Sequence, residues 1–141
     1  MSAFLLDTNV ISEITRPRPN AGVVKWIEST DELLLHISVL TLGEIRKGIS
    51  LLSDGRRRVA LEAWLGRDLM LRFSGRILPV DLPVADRWGR ISAAATAKGS
   101  PMPVIDCLIA ATAMHQQLTL VSRDETYSGI TGLEVLNPWR S

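Results

Sequence analysis

The stretch "FLLDTNVISE", Phe4–Glu13, carries a run of apolar residues directly into an aspartate. Ala3–Leu6 is apolar throughout, which suits a strand buried on both faces of a parallel sheet. Thr8–Ile14 can follow as a short helix, stopped at "RPRPN", Arg16–Asn20, where two prolines forbid continuation. Asp7 therefore sits at the junction of a strand and a helix. A carboxylate beside a core is costly to bury unless something pairs with it. The rest of the chain must supply that partner.

Working outward from this junction, strands and helices alternate. Asn20 is expected to cap a helix carrying Val23, Val24 and Ile27, and Leu33–Ser38 reads as a second strand. Thr41 is expected to cap the next helix, with Glu44 completing a capping box and Ile45, Ile49 and Leu52 as its apolar stripe. Asp54-Gly55 breaks that helix. A long amphipathic one is expected through Leu61, Trp64, Leu65, Leu69 and Phe73 to Gly75. Ile77–Val80 reads as a third strand, Val84–Lys98 and Val104–His115 as helices, Leu118–Val121 as a fourth strand and Leu133–Val135 as a short fifth. With no repeat and no linker, residues 1–141 read as one α/β domain, a single parallel sheet of four to five strands flanked by helices.

Composition narrows the function. The 141 residues include 46% apolar ones, enough for a real core, and the formal net charge of +1 indicates no bulk grip on nucleic acid or membrane. Between Arg46 and Arg76, however, eight basic residues face three acidic ones, a local +5 that suggests a polyanion-facing surface. An ordinary solvated helix face has the same composition and is the commoner case. A single cysteine, Cys107, excludes an internal disulfide and a thiolate zinc site. No segment approaches the length of a membrane span, so the expected location is the cytoplasm.

Ligand sites in parallel sheets lie beyond the carboxyl ends of the strands. Asp7 ends the first strand, and Asp124 follows the fourth after only Ser122 and Arg123. Asp106 falls in the first turn of its helix, where the macrodipole favours an anion, and Glu44 lies early in the helix after the second strand. Each has an ordinary alternative: Asp106 as a helix-start acceptor, Glu44 in its capping box, Asp124 in a turn. Four carboxylates at one edge would repel one another and raise each other's pKa unless a cation neutralised them. An all-oxygen set suits Mg²⁺ or Mn²⁺. His36 and His115 are too few for a typical zinc site.

These residues also carry a family likeness. "LLDTNVIS", Glu44 in "TLGEIRKG", Asp106 in "DCLIAATA" and Asp124 in "LVSRD" resemble the acidic motifs of PIN-domain ribonucleases. The "RPRPN" turn, "GRILPVD", "WGRI" and the closing "NPW" look like the VapC toxin family, in its FitB-like branch. The likeness runs nearly the whole chain in order. Ser122 stands where the family often has threonine and Tyr127 near where it often has phenylalanine; both keep the relevant hydroxyl or ring.

The resemblance implies the toxin of a type II toxin–antitoxin system: a metal-dependent endoribonuclease that hydrolyses RNA phosphodiester bonds. It assigns Asp7, Glu44, Asp106 and Asp124 to the catalytic pocket that binds Mg²⁺, or Mn²⁺ in its place. Asp7 and Asp106 come first as direct ligands, Asp124 completes the site or orients the water, and Glu44 acts through water. Thr8, Asn9 and Ser122 are placed to hold the carboxylates, and Arg123 to meet substrate phosphate or simply to face solvent. The resemblance further implies a homodimer held inactive by a small DNA-binding antitoxin, whose tail lies in an apolar groove leading to the acids. Operator DNA would be contacted through the antitoxin alone, with no membrane involved. The stripe around Trp64 is the candidate groove, although such stripes are more often core.

Two other readings compete. Phosphatases with an aspartyl nucleophile also begin with Asp after an apolar strand, but carry a second acid two residues on, where this chain has Asn9. A catalytically silent PIN module that binds RNA or a protein would differ by failing to cut RNA in the presence of metal.

Overall fold

A computed structural model describes residues 2–140. Its centre is a five-stranded, wholly parallel sheet in the order β3-β2-β1-β4-β5. The strands are β1 (Phe4–Leu6), β2 (Leu35–Ser38), β3 (Ile77–Leu78), β4 (Thr119–Val121) and β5 (Val135–Leu136). The register sets Leu6 beside Val121 and Phe4 beside Leu35. Alternation along the strands divides the core in two. Leu6, Leu35, Ile37 and Val121 pack on one face with Val10, Ile11, Val23, Ile45, Ile49, Leu65, Leu69 and Phe73. Leu5 and Leu120 pack on the other with Ile109, Ala110, Ala113 and Tyr127.

The first face is covered by α1 (Thr8–Ile14), α2 (Ala21–Ser29), α3 (Val39–Ser50), α4 (Arg56–Ala63) and the three-residue α5 (Met70–Arg72). The second is covered by α7 (Val104–His115), against which α6 (Leu82–Ala97) packs. No helix among the described residues is long and apolar enough to cross a membrane.

Several local expectations are corrected. Ser38, not Thr41, caps α3: its side chain accepts from Leu40 N at 3.0 Å. Glu44 therefore lies in the second turn and closes no capping box. The expected second strand begins two residues late, because Asp31 caps a 3₁₀ turn over Glu32–Leu34. The long helix through Trp64 is not uniform, since Trp64–Leu69 forms a π-helical turn between α4 and α5. Leu65, Leu69 and Phe73 recur every four residues, longer than the 3.6 of an α-turn, and one wider turn lets all three stay buried. The fifth strand is Val135–Leu136 rather than Leu133–Val135.

Much of the arginine cluster is internally satisfied. Arg72 and Arg76 both bind Glu32 at 3.0 Å, and Arg76 also donates to the Leu35 carbonyl at 2.6 Å. Arg58 pairs with Glu62 and Asp54, and Arg67 with Asp68. Arg72 and Arg76 thus tie the end of the helix to the turn before β2, while Arg58 and Arg67 pair within their own segment. Arg56 and Arg57 instead line a surface groove.

Candidate active site

The strand order reverses direction between β1 and β4: the chain runs outward through β2 and β3 on one side and through β4 and β5 on the other. Loops leaving the carboxyl ends of β1 and β4 diverge there and open a crevice. Asp7 and Asp124 stand on those loops. The Asp7 backbone N–H donates to Val121 O at 2.9 Å, extending the β1–β4 pairing by one residue. This draws Ser122 against the aspartate.

The Asp7 carboxylate is 5% exposed and held at both oxygens. Oδ1 accepts from Thr8 N at 2.8 Å, as the cap of α1, and Oδ2 accepts from Ser122 Oγ at 2.8 Å. Burial raises its pKa above the ordinary 3.8, and the hydrogen bonds from Ser122 and Thr8 counter only part of that rise. Ser122 Oγ in turn accepts from Asn9 Nδ2 and from the Asp124 N–H, each at 3.0 Å. One hydroxyl therefore joins β1, α1 and the loop after β4.

Glu44 reaches the same crevice from α3, where its Oε1 accepts from Thr8 Oγ1 at 2.5 Å. The buried Thr41 hydroxyl stands 3.1 Å from that Thr8 oxygen. Asp124 caps a 3₁₀ turn, Glu125–Gly129, through Oδ1 to Thr126 N at 3.0 Å. Asp106 projects from the first turn of α7. Its pKa is pushed from 3.8 up to about 6, first by burial and then by the charges of Asp7, Asp124 and Glu44. That mutual repulsion is the electrostatic sign of four acids sharing one site.

All four line one cleft of about 380 Å³ with Thr8, Asn9, Ser12, Glu13, Arg16 and Arg123. Among the described residues, no three Asp, Glu, His or Cys side chains close into a finished ligand cage. The donor set is all oxygen and open to water, which fits hard cations that keep several waters, such as Mg²⁺ or Mn²⁺. The Asn9 Oδ1 is buried and has no hydrogen-bond partner among the described residues, a further oxygen acceptor in the cleft wall. The histidines take no part. His36 lies on β2 with Nδ1 3.1 Å from Leu34 O, and His115 is exposed at the end of α7.

Glu13 lines the cleft although no motif pointed to it, whereas Tyr127 was noted for its ring but not for its nearness to the acids. Glu13, 5% exposed, accepts from Asn20 N at 2.9 Å and from Arg16 at 3.3 Å, so it clamps the "RPRPN" turn. Its pKa is lowered, chiefly by the Asn20 hydrogen bond. Tyr127 is fully buried among Leu5 and Ile109. Among the described residues its hydroxyl has no close hydrogen-bond partner, and burial and the nearby charges of Asp7 and Asp106 strongly oppose its ionisation. The hydrophobic position of Tyr127 was visible in sequence; its approach to the acids depends on the turn capped by Asp124.

The cleft opens into a groove of about 340 Å³ that shares Thr8, Ser12, Arg16 and Glu44 with it and runs past Ile45, Ile49 and Leu61 to Trp64. Beyond Trp64 a larger hollow of about 930 Å³ continues along Arg57, Val24 and Ile27. Trp64 is half-buried, so it is a wall of this groove as well as part of the core edge.

Comparison with known proteins agrees with this architecture. A family model described as the PIN domain matches residues 4–133. Toxin FitB of Neisseria gonorrhoeae is 40% identical over 136 residues, covering 96% of this chain and 98% of that protein. VapC ribonuclease Y4jK of Sinorhizobium fredii is 33% identical over 136 residues, covering 96% and 97%. The solved structure of FitAB bound to an IR36 DNA fragment superimposes with a TM-score of 0.89 at 38% identity, covering 96% of this chain and 95% of that one.

Proposed function

This chain belongs to the PIN-domain family, and on that premise we propose that it is the toxin of a type II toxin–antitoxin pair, a divalent-metal-dependent endoribonuclease. The observation that supports this reading most is the meeting of Asp7, Glu44, Asp106 and Asp124 in one cleft at the point where the sheet order reverses. The likeness to a protein named toxin and another named ribonuclease points the same way.

Asp7 and Asp106 would hold the cation, Mg²⁺ or Mn²⁺, directly, with Asp124 completing the site or orienting the attacking water and Glu44 reaching it through water. A cation held there would supply a water of lowered pKa and positive charge for the scissile phosphate and the leaving oxygen. The chain's own residues fix the geometry. Ser122 and Thr8 N set the Asp7 carboxylate, the Thr8 hydroxyl sets Glu44, and Thr126 N engages one oxygen of Asp124 and leaves the other uncommitted.

The groove from the acids to Trp64 fits the tail of a small antitoxin. Apolar side chains would rest on Leu61 and Trp64, and a cationic one would reach the carboxylates and compete with metal for them. The antitoxin, rather than this chain, would bind operator DNA. The working unit is a cytoplasmic homodimer of single-domain chains.

Incubation of the purified chain with a structured RNA tests the activity. Cleavage is expected with Mg²⁺ or Mn²⁺, and none after chelation or in Asp106→Asn. RNA binding without cleavage under every metal condition would overturn the enzyme in favour of a silent RNA-binding module.

A further inference from the structure

We propose that Arg123, braced on the ring of Trp139, holds a phosphate of the RNA substrate at the mouth of the acidic cleft, and that the closing Asn137–Trp139 turn exists to position it. The inference rests on the ribonuclease reading above and adds a substrate-binding residue to it.

Arg123 lies between Ser122 and Asp124, just beyond the carboxyl end of β4, and lines the cleft beside all four acids. Its guanidinium carbon stands 5.0 Å from the centre of the Trp139 ring, within the range of a cation–π contact. Other arginines nearby are neutralised: Arg16 pairs with Glu13 at 3.3 Å, and Arg140 with Glu125. Among the described residues Arg123 forms no ion pair of its own, and Glu13 attracts it only at longer range. A guanidinium resting on a ring keeps its N–H edges available, and that planar fork matches a phosphate bidentately.

The support beneath it is built rather than incidental. Asn137 Oδ1 accepts from Trp139 N at 2.9 Å, Arg140 N returns to Asn137 O at 3.2 Å, and Pro138 is buried. Ser122 N donates to Leu136 O at 3.0 Å, so the residue before Arg123 is tied to the residue before Asn137. Trp139 itself packs against the core on the first face of the sheet, where its turn lies beside α2. An aromatic ring is thus fixed under a cation at the rim of a pocket that would otherwise repel a polyanion. Arg123 supplies a point of hold for the strand apart from the phosphate that a cation on the acids would engage.

Steady-state cleavage of a single-stranded RNA in Mg²⁺, over salt from about 50 to about 200 mM, tests this. Arg123→Gln is expected to raise KM about tenfold with kcat within about twofold, the loss of one charge-assisted contact. It should also flatten the dependence of log KM on log salt by about 0.7, the value of one phosphate contact on a single strand. Arg123→Lys should keep the salt slope with a raised KM. Trp139→Leu, where it folds, should also raise KM while keeping the slope. Arg123→Gln with wild-type KM and salt slope, or with kcat lowered and KM unchanged, would overturn the phosphate hold while leaving the ribonuclease standing. A wild-type chain that neither binds nor cuts RNA would overturn both.

Discussion

Ser122 Oγ donates to Asp7 Oδ2 at 2.8 Å, joining residues 115 apart in sequence inside a site where Ser122 is 1% exposed. The same oxygen accepts from Asn9 and from the Asp124 backbone, so its hydrogen-bonding capacity is full. Removing it leaves two half-buried donors without their acceptor and releases the aspartate. Ser122→Ala is expected to cost about 1–3 kcal/mol of stability and to lower cleavage about 10–100-fold. Denaturant melts beside a cleavage assay would show it; wild-type values in both would mean the hydroxyl is dispensable.

Asp106 and Asp7 should respond differently to loss of charge. Burial first, and then the charges of its neighbours, raise the pKa of Asp106, so Asp106→Asn removes a desolvated charge and relieves repulsion, and should increase the melting temperature of the metal-free protein by about 2–4 °C, the shift that ~1 kcal/mol gives in a chain of this size. Asp7 accepts from two donors, and an amide has only one oxygen to offer them. Asp7→Asn should therefore gain no stability. Both should lose metal-dependent cleavage, and wild-type turnover in either would remove that residue from the site.

The same electrostatics set a pH dependence. The folded pKa of Asp106, about 6, exceeds its ordinary 3.8, so the folded chain binds a proton before the unfolded chain does. Stability of the metal-free protein should rise as pH falls from about 7 toward about 5. Glu13 and Glu32 have lowered pKa values and act oppositely, so further acidification should reverse the gain. Saturating Mg²⁺ should abolish the rise. Thermal melts across that range check it, and a steady decline from pH 7 to 5 would contradict it.

The positions of Asp7, Asp106 and Asp124 were legible because each stands at a recognisable boundary, the end of an apolar strand or the first turn of a helix. Glu44 was legible at the same sheet edge because it stands early in the helix after β2; what proved mistaken was its ordinary alternative, the capping box. Thr41 three residues before it mimics a capping box, while Ser38, at the strand end, takes the cap. Thr41 is buried and touches Thr8 instead, a contact across 33 residues that no local pattern encodes. The π-helical turn was hidden because a four-residue apolar repeat reads equally as a plain amphipathic helix. The partners of Arg72 and Arg76 were hidden too: Glu32 lies some forty residues away, and only the β2–β3 pairing brings it near.

Trp64 tests the inhibitor groove. Its half-buried ring joins the pocket beside the acids to the wider hollow beyond. Trp64→Ala should weaken binding of the antitoxin tail by about 2 kcal/mol or more, as for an anchoring aromatic, while reducing cleavage much less. Titration calorimetry with the tail peptide decides it; unchanged affinity would place the tail elsewhere.

Four acids, from the β1–α1 junction, α3, α7 and the loop after β4, are proposed to form a single divalent-metal site. Crystals of the chain soaked in Mn²⁺ and measured at the manganese edge test it directly. One or more anomalous peaks are expected within the cleft, in contact with Asp7 and Asp106 and reached directly or through water by Asp124 and Glu44. A saturated soak with no peak in that cleft, or a peak that leaves Asp7 and Asp106 untouched, would contradict it.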